Sequence, residues 1–190
     1  MRPRKDSIIS PLLNSNIGHE RLFMRFFAIL LDLDRDFLKK LIQKFFPKAK
    51  VSIDDLEIWF DKHLMSKFNY PQPDIIISDK NFWIGKKSIC YLIEIKRGAP
   101  LSENQIRRYE NALAEFKTLN PNFKGGLCIL VDNQGNKKKT DYDQKKVFTY
   151  HDLEKFLVQR KKELSKRYQR GKLNTPIGYL LDEFLTLLNK

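Results

Sequence analysis

Cysteine is nearly absent from this chain, and the little there is sits in the wrong places for a metal cluster. The two cysteines among the 190 residues, Cys90 and Cys128, each lie inside an apolar run. Two sulfurs cannot complete a four-ligand zinc or iron–sulfur site, so they read as small buried hydrophobes in a reducing cytoplasm. Histidine is also scarce, and neither His63 nor His151 has a partner at a readable spacing. The longest apolar run, Phe26 to Leu31, falls far short of the roughly 18–20 residues of a membrane span and reads as core helix. The basic N-terminus carries no apolar stretch ahead of its first break, so no secretory signal is expected. No internal repeat is present.

Negative charge is the other shortage. Lysine and arginine number 36 against 23 aspartates and glutamates, for a formal net charge of +13. The excess is clustered: Lys137 to Lys172 holds thirteen basic residues and five acidic ones. A clustered positive field suits a polyanionic partner, although a lysine-rich solvated surface would give the same composition. With 42% apolar and 31% charged residues, the chain is globular rather than disordered. Its length fits one domain spanning 1–190.

Periodicity gives the order of elements. Leu22, Phe23, Phe26, Phe27 and Leu30 recur at helical spacing between about Asn16 and Leu31. Phe37, Leu38, Leu41, Ile42 and Phe45 mark a second amphipathic helix, ended by Pro47. The pattern then shortens. Strands are predicted at about Asp55–Phe60, at Ile75–Ile77 and at Ile89–Lys96, with turn signals at Asp79–Asn81 and Gly85–Lys87 that make the last two a hairpin. Ser102 opens a helix that runs to about Leu119. Gly125-Gly126 then starts a fourth strand, Leu127 to Val131, Lys146–Tyr150 forms a fifth, and a basic helix spans about Asp152–Arg170. Thr175-Pro176 caps a final helix that buries Ile177, Leu180, Leu181, Phe184 and Leu187. The expected order is αα-βββ-α-β-β-αα, a mixed α/β domain.

One stretch does not fit a purely structural reading. The third strand, Ile-Cys-Tyr-Leu-Ile-Glu-Ile-Lys, puts Glu94 and Lys96 on one face of an otherwise apolar strand. Asp74 opens the preceding strand, so an antiparallel hairpin brings it beside Glu94. Two converging carboxylates need a cation, and hard oxygen ligands favour Mg²⁺, with Mn²⁺ able to substitute. Such an ion can polarise a phosphoryl oxygen and acidify water, with Lys96 beside it to steady developing charge. These are the parts of a phosphodiester hydrolase.

Pro73-Asp74 followed by Glu94-Ile95-Lys96, with Gln105-Ile106-Arg107-Arg108-Tyr109 on the next helix, resembles the PD-(D/E)XK nuclease superfamily and, through the Q-x-x-x-Y string, its RecB-like branch. The resemblance covers about residues 16–132 and leaves 133–190 as a basic strand-and-helix extension. It implies a restriction-endonuclease-like αβββαβ core, with a mixed central sheet flanked by helices, and cleavage of DNA. It also implies Asp74, Glu94 and the Ile95 carbonyl as metal ligands, Lys96 as a catalytic group, and an extra acidic ligand from the first helix, for which Glu20 is the candidate beside His19. Ala99 to Gln105 is similar to small prokaryotic members, some associated with defence against foreign DNA. A branch with a four-cysteine iron–sulfur cluster is excluded.

The helix residues keep two readings each. Gln105 is either the far end of a capping box with Ser102 or a site residue. Tyr109, one turn on, either packs with Phe116 or touches nucleic acid. Arg97, Arg107 and Arg108 flank the site and either hold phosphates or are solvated, and the same choice applies to Lys137, Lys138 and Lys139. The expected function is a Mg²⁺-dependent DNA nuclease. A structure-specific nuclease such as a Holliday-junction resolvase, acting as a homodimer, is the alternative within the same chemistry. A non-cleaving nucleic-acid-binding module is the alternative outside it.

Overall fold

The computed structural model describes residues 19–47, 52–60, 72–80, 82, 89–96, 102–132, 146–167 and 176–188. Its elements follow the order read from periodicity. Helices α1 (His19–Leu33) and α2 (Arg35–Phe45) precede strands β1 (Leu56–Phe60), β2 (Ile75–Asp79) and β3 (Ile89–Lys96). Helix α3 (Glu103–Leu119), strands β4 (Lys124–Val131) and β5 (Val147–Thr149), and helices α4 (Tyr150–Arg167) and α5 (Pro176–Leu188) complete the chain. The strands form one mixed sheet in the order β1-β2-β3-β4-β5. β1, β2 and β3 run antiparallel in succession, and β3, β4 and β5 run parallel. α3 is the crossover between β3 and β4, as a parallel pair requires.

Helices cover both faces of the sheet, which is why β3 is apolar on both sides. On one face Ile106, Tyr109, Ala112 and Phe116 of α3 pack on Ile76, Leu92, Leu127 and Ile129. On the other, α1, α2, α4 and α5 pack on Ile75, Ile77, Ile93, Ile95 and Leu130. β5, α4 and α5 are therefore built into the sheet and its cores. Phe23 of α1 stacks on Tyr150 of α4 at 4.7 Å between ring centroids and lies 4.8 Å from Phe184 of α5. Cys90 and Cys128 are both buried, and they fall in the two different cores, so the sheet keeps their sulfurs apart.

Local chemistry sets the element ends. Asp34 caps α2, its carboxylate accepting from the Phe37 amide at 3.0 Å. At the other end the Phe46 amide donates to the Ile42 carbonyl at 2.7 Å, and Pro47 follows. Glycine is required at the second position of β4 because a Cβ at Gly125 would stand 2.6 Å from the Cys90 carbonyl oxygen of the neighbouring strand.

Two expectations shift. α4 starts at Tyr150, two residues earlier than the basic-helix pattern implies, and β5 ends at Thr149. The reason is a local cap: the Asp152 carboxylate accepts from the Thr149 amide at 2.9 Å and from its hydroxyl at 2.8 Å. In α5 the buried stripe is Gly178, Leu181, Phe184 and Leu187, with Glu183 beside it, while Ile177 and Leu180 are only half-buried. Every third residue faces α1 there, and the flanking apolar positions lie on the shoulders of the helix. Among the described residues no helix is long and apolar enough to cross a membrane.

Candidate functional site

The register of the β2–β3 ladder decides what meets what. Ile75 pairs with Ile93 and Ile76 with Leu92, so Asp74, one residue before β2, reaches the level of Glu94. Ile76 and Leu92 face α3, and strand alternation puts Asp74, Glu94 and Lys96 on that same face. Asp74 is anchored by its own strand neighbour: its Oδ2 accepts from the Ile95 backbone amide at 2.6 Å. In an extended strand the N–H and C=O of one residue leave by the same edge. The Ile95 carbonyl therefore points toward Asp74. The other edge of β3 is fastened beyond the strand, where the Asp132 amide donates to the Lys96 carbonyl at 3.2 Å.

Glu94 is 2% exposed, a depth at which a carboxylate needs strong partners. It has three. Gln105 Nε2 donates to Oε1 at 2.8 Å, Lys96 Nζ lies 3.0 Å from the same oxygen, and the Tyr109 hydroxyl donates to Oε2 at 2.5 Å. The two helix residues are one turn apart, so they present both donors to the sheet together. Gln105 Nε2 also lies 3.3 Å from the Tyr109 oxygen. Burial, followed by the charge of Glu94, raises the pKa of the Tyr109 hydroxyl well above its ordinary value, so it stays a donor.

Ser102 does cap α3, its hydroxyl accepting from the Gln105 backbone amide at 3.3 Å. The Gln105 side chain goes to Glu94, so the cap and the site use different parts of one residue. Tyr109 follows its core reading, its ring packed with Phe116 on the α3 side of the sheet, while its hydroxyl ends on Glu94. One contact carried no sequence signal. The Tyr109 hydroxyl lies 3.2 Å from the Gln72 backbone carbonyl, which ties α3 to the segment leading into Asp74. A main-chain oxygen belongs to every residue type and cannot be found by composition.

The remaining candidates are dispersed. His19 and Glu20 form the first turn of α1, which packs on the face opposite α3; their side chains lie outside the described residues. Arg97 and Lys137, Lys138 and Lys139 also lie outside them. Arg107 is exposed and paired with Glu103 one turn back, and Arg108 is exposed. Part of the basic C-terminal charge is internal. Arg160 is 5% exposed and donates from Nε and Nη2 to the two oxygens of Asp34, at 2.8 and 2.7 Å, and Lys161 pairs with Asp182. Lys155, Lys162 and Lys166 are exposed, on a helix that packs on the sheet face away from Glu94.

The donor set suits a hard divalent cation. Asp74 and Glu94 stand at neighbouring positions at the end of the β2–β3 ladder, and Mg²⁺ is commonly held by one or two carboxylates with the rest of its shell from water and substrate. Among the described residues no group of three or more His, Cys, Asp or Glu side chains is gathered. No known family model, curated protein or solved structure matches this chain.

Proposed function

We propose that this chain is a metal-dependent nuclease of the PD-(D/E)XK type, with a restriction-endonuclease-like core formed by α1, β1, β2, β3, α3 and β4. The observation that carries the reading is that Asp74, Glu94 and Lys96 share one face at the end of the β2–β3 ladder, with Gln105 and Tyr109 fixing the buried carboxylate. A structural ion pair alone would not call for a buried glutamate with three donors beside a second carboxylate at a strand end. The order and direction of the strands support the same core.

In this mechanism Asp74, Glu94 and the Ile95 carbonyl would hold Mg²⁺, or Mn²⁺ in its place. When bound, the ion supplies positive charge against a phosphoryl oxygen and acidifies water. The chain's own residues do the rest. Tyr109 and Gln105 keep Glu94 in one rotamer, so its charge is aimed before substrate arrives. Lys96, the one cation among the three groups bonded to Glu94 and 27% exposed in its side chain, would contact a scissile phosphate and offset the charge that grows on it. Arg108, on the exposed side of α3, is available for neighbouring phosphates, and the net positive charge of the chain favours a polyanion generally. DNA is the proposed substrate.

The test is a cleavage panel of supercoiled, linear, single-stranded and four-way-junction DNA, with an RNA arm, in Mg²⁺, in Mn²⁺ and in chelator. Cleavage of at least one DNA form that vanishes in chelator is expected. Cleavage only of the junction would select the resolvase alternative, and no cleavage of any substrate in either ion would refute the reading.

A further inference from the structure

The three groups bonded to Glu94 are not equivalent. Tyr109 is 1% exposed and Gln105 projects from a capped helix. Tyr109 cannot leave without opening the α3 face, and Gln105, though half-buried, is uncharged and does not oppose an incoming cation. Lys96 differs: its side chain is 27% exposed, against 3% for that of Glu94, and it lies 3.0 Å from Oε1. Oε1 already accepts from Gln105 at 2.8 Å, and a carboxylate oxygen offers about two lone-pair positions. Of the three partners, only the ammonium carries a charge that opposes an incoming cation. Like charges at contact distance repel strongly in a partly buried site. A lysine is well suited to yield, because its point charge rides on a flexible four-carbon stem.

We infer that Lys96 and a divalent cation compete for Glu94, so that loading the site moves the ammonium off the carboxylate and hands it to the substrate phosphate. This inference rests on the metal-dependent reading above and adds an order of events to it. Lys96 neutralises the buried carboxylate before loading and becomes available to substrate only after it. The ammonium then cannot serve the substrate in a site that lacks its cation, which couples substrate engagement to metal occupancy.

The test uses the full chain and magnesium alone. The Ile95 amide signal, followed by NMR as Mg²⁺ is added, gives the affinity of wild type, Lys96→Met and Lys96→Gln. The ammonium signal of Lys96 in the wild type, assigned by its loss in Lys96→Met, reports where that group is. We expect both neutral variants to bind Mg²⁺ at least about tenfold tighter, and the wild-type ammonium to lose its protection from exchange as Mg²⁺ saturates. Equal affinities in wild type and variants would overturn the competition while leaving metal binding intact. Tighter binding with an unmoved Lys96 signal would assign the effect to long-range charge and overturn it equally. Absence of Mg²⁺ binding in all three proteins would remove the metal-dependent reading itself.

Discussion

The Tyr109 hydroxyl sits 2.5 Å from Glu94 Oε2, fifteen residues away in sequence and across the interface between α3 and the sheet. The contact makes one side chain serve both the core and the site. Tyr109→Phe keeps the ring and removes the donor to a buried charge, a loss on the order of 1.5–3 kcal/mol. Urea unfolding of wild type and variant measures it. Turnover should fall too, because Glu94 is then held from one oxygen only. A variant as stable as wild type would show that the hydroxyl contributes nothing to holding the carboxylate.

A second buried charge pair has no connection to the site. Arg160 grips both oxygens of Asp34, which is 2% exposed and also caps α2. Arg160→Ala leaves that carboxylate buried without its counter-ion, and breaking such a pair costs about 3–5 kcal/mol. Lys161→Ala removes a partner of the more exposed Asp182 and should cost about 0–1 kcal/mol. Chemical denaturation of the two variants side by side tests the contrast, and similar losses would contradict it.

Alkaline pH should unfold the chain through its buried tyrosines. Burial, and secondarily the neighbouring Cys90, pushes the Tyr91 hydroxyl up to about 12, whereas an unfolded tyrosine ionises near ~10. A raised folded value means that the protonated form is favoured in the native state. That contribution is complete below ~10 and is lost as the pH rises from there through the folded value. Tyr109 acts in the same direction. Tyrosinate absorbance should therefore rise in two phases, the later one coincident with loss of helix by circular dichroism. A single phase near ~10 with the helices intact would contradict the burial of both groups.

The periodic elements were legible in the sequence because each buries one regular face. All five apolar positions read for α2 are buried, as are the five for α1. The pairing of Asp74 with the Glu94 end of β3 was legible too, since a short antiparallel hairpin leaves little freedom of register. Other features depend on distant partners. Arg160 and Asp34 are 126 positions apart, and nothing local distinguishes Arg160 from the exposed lysines around it. The union of cap and site in Gln105, and of core and site in Tyr109, follows from how far α3 sits above β3, which spacing alone does not encode. The integration of α4 and α5 into the α1 core was hidden for the same reason: their charge pattern reads as an appendage, while Tyr150, Leu157 and Phe184 supply core.

The proposed nuclease chemistry depends on a cation bound by Glu94 and Asp74. The most direct measurement is the single-turnover cleavage rate of wild type, Glu94→Ala and Asp74→Ala on the best DNA substrate of the panel, across a range of Mg²⁺ and Mn²⁺ concentrations. Circular dichroism confirms that each variant is folded. The account predicts divalent-dependent cleavage in wild type and a fall of at least about 10²-fold in each variant. Glu94→Ala cutting at the wild-type rate, with unchanged metal dependence, would contradict it.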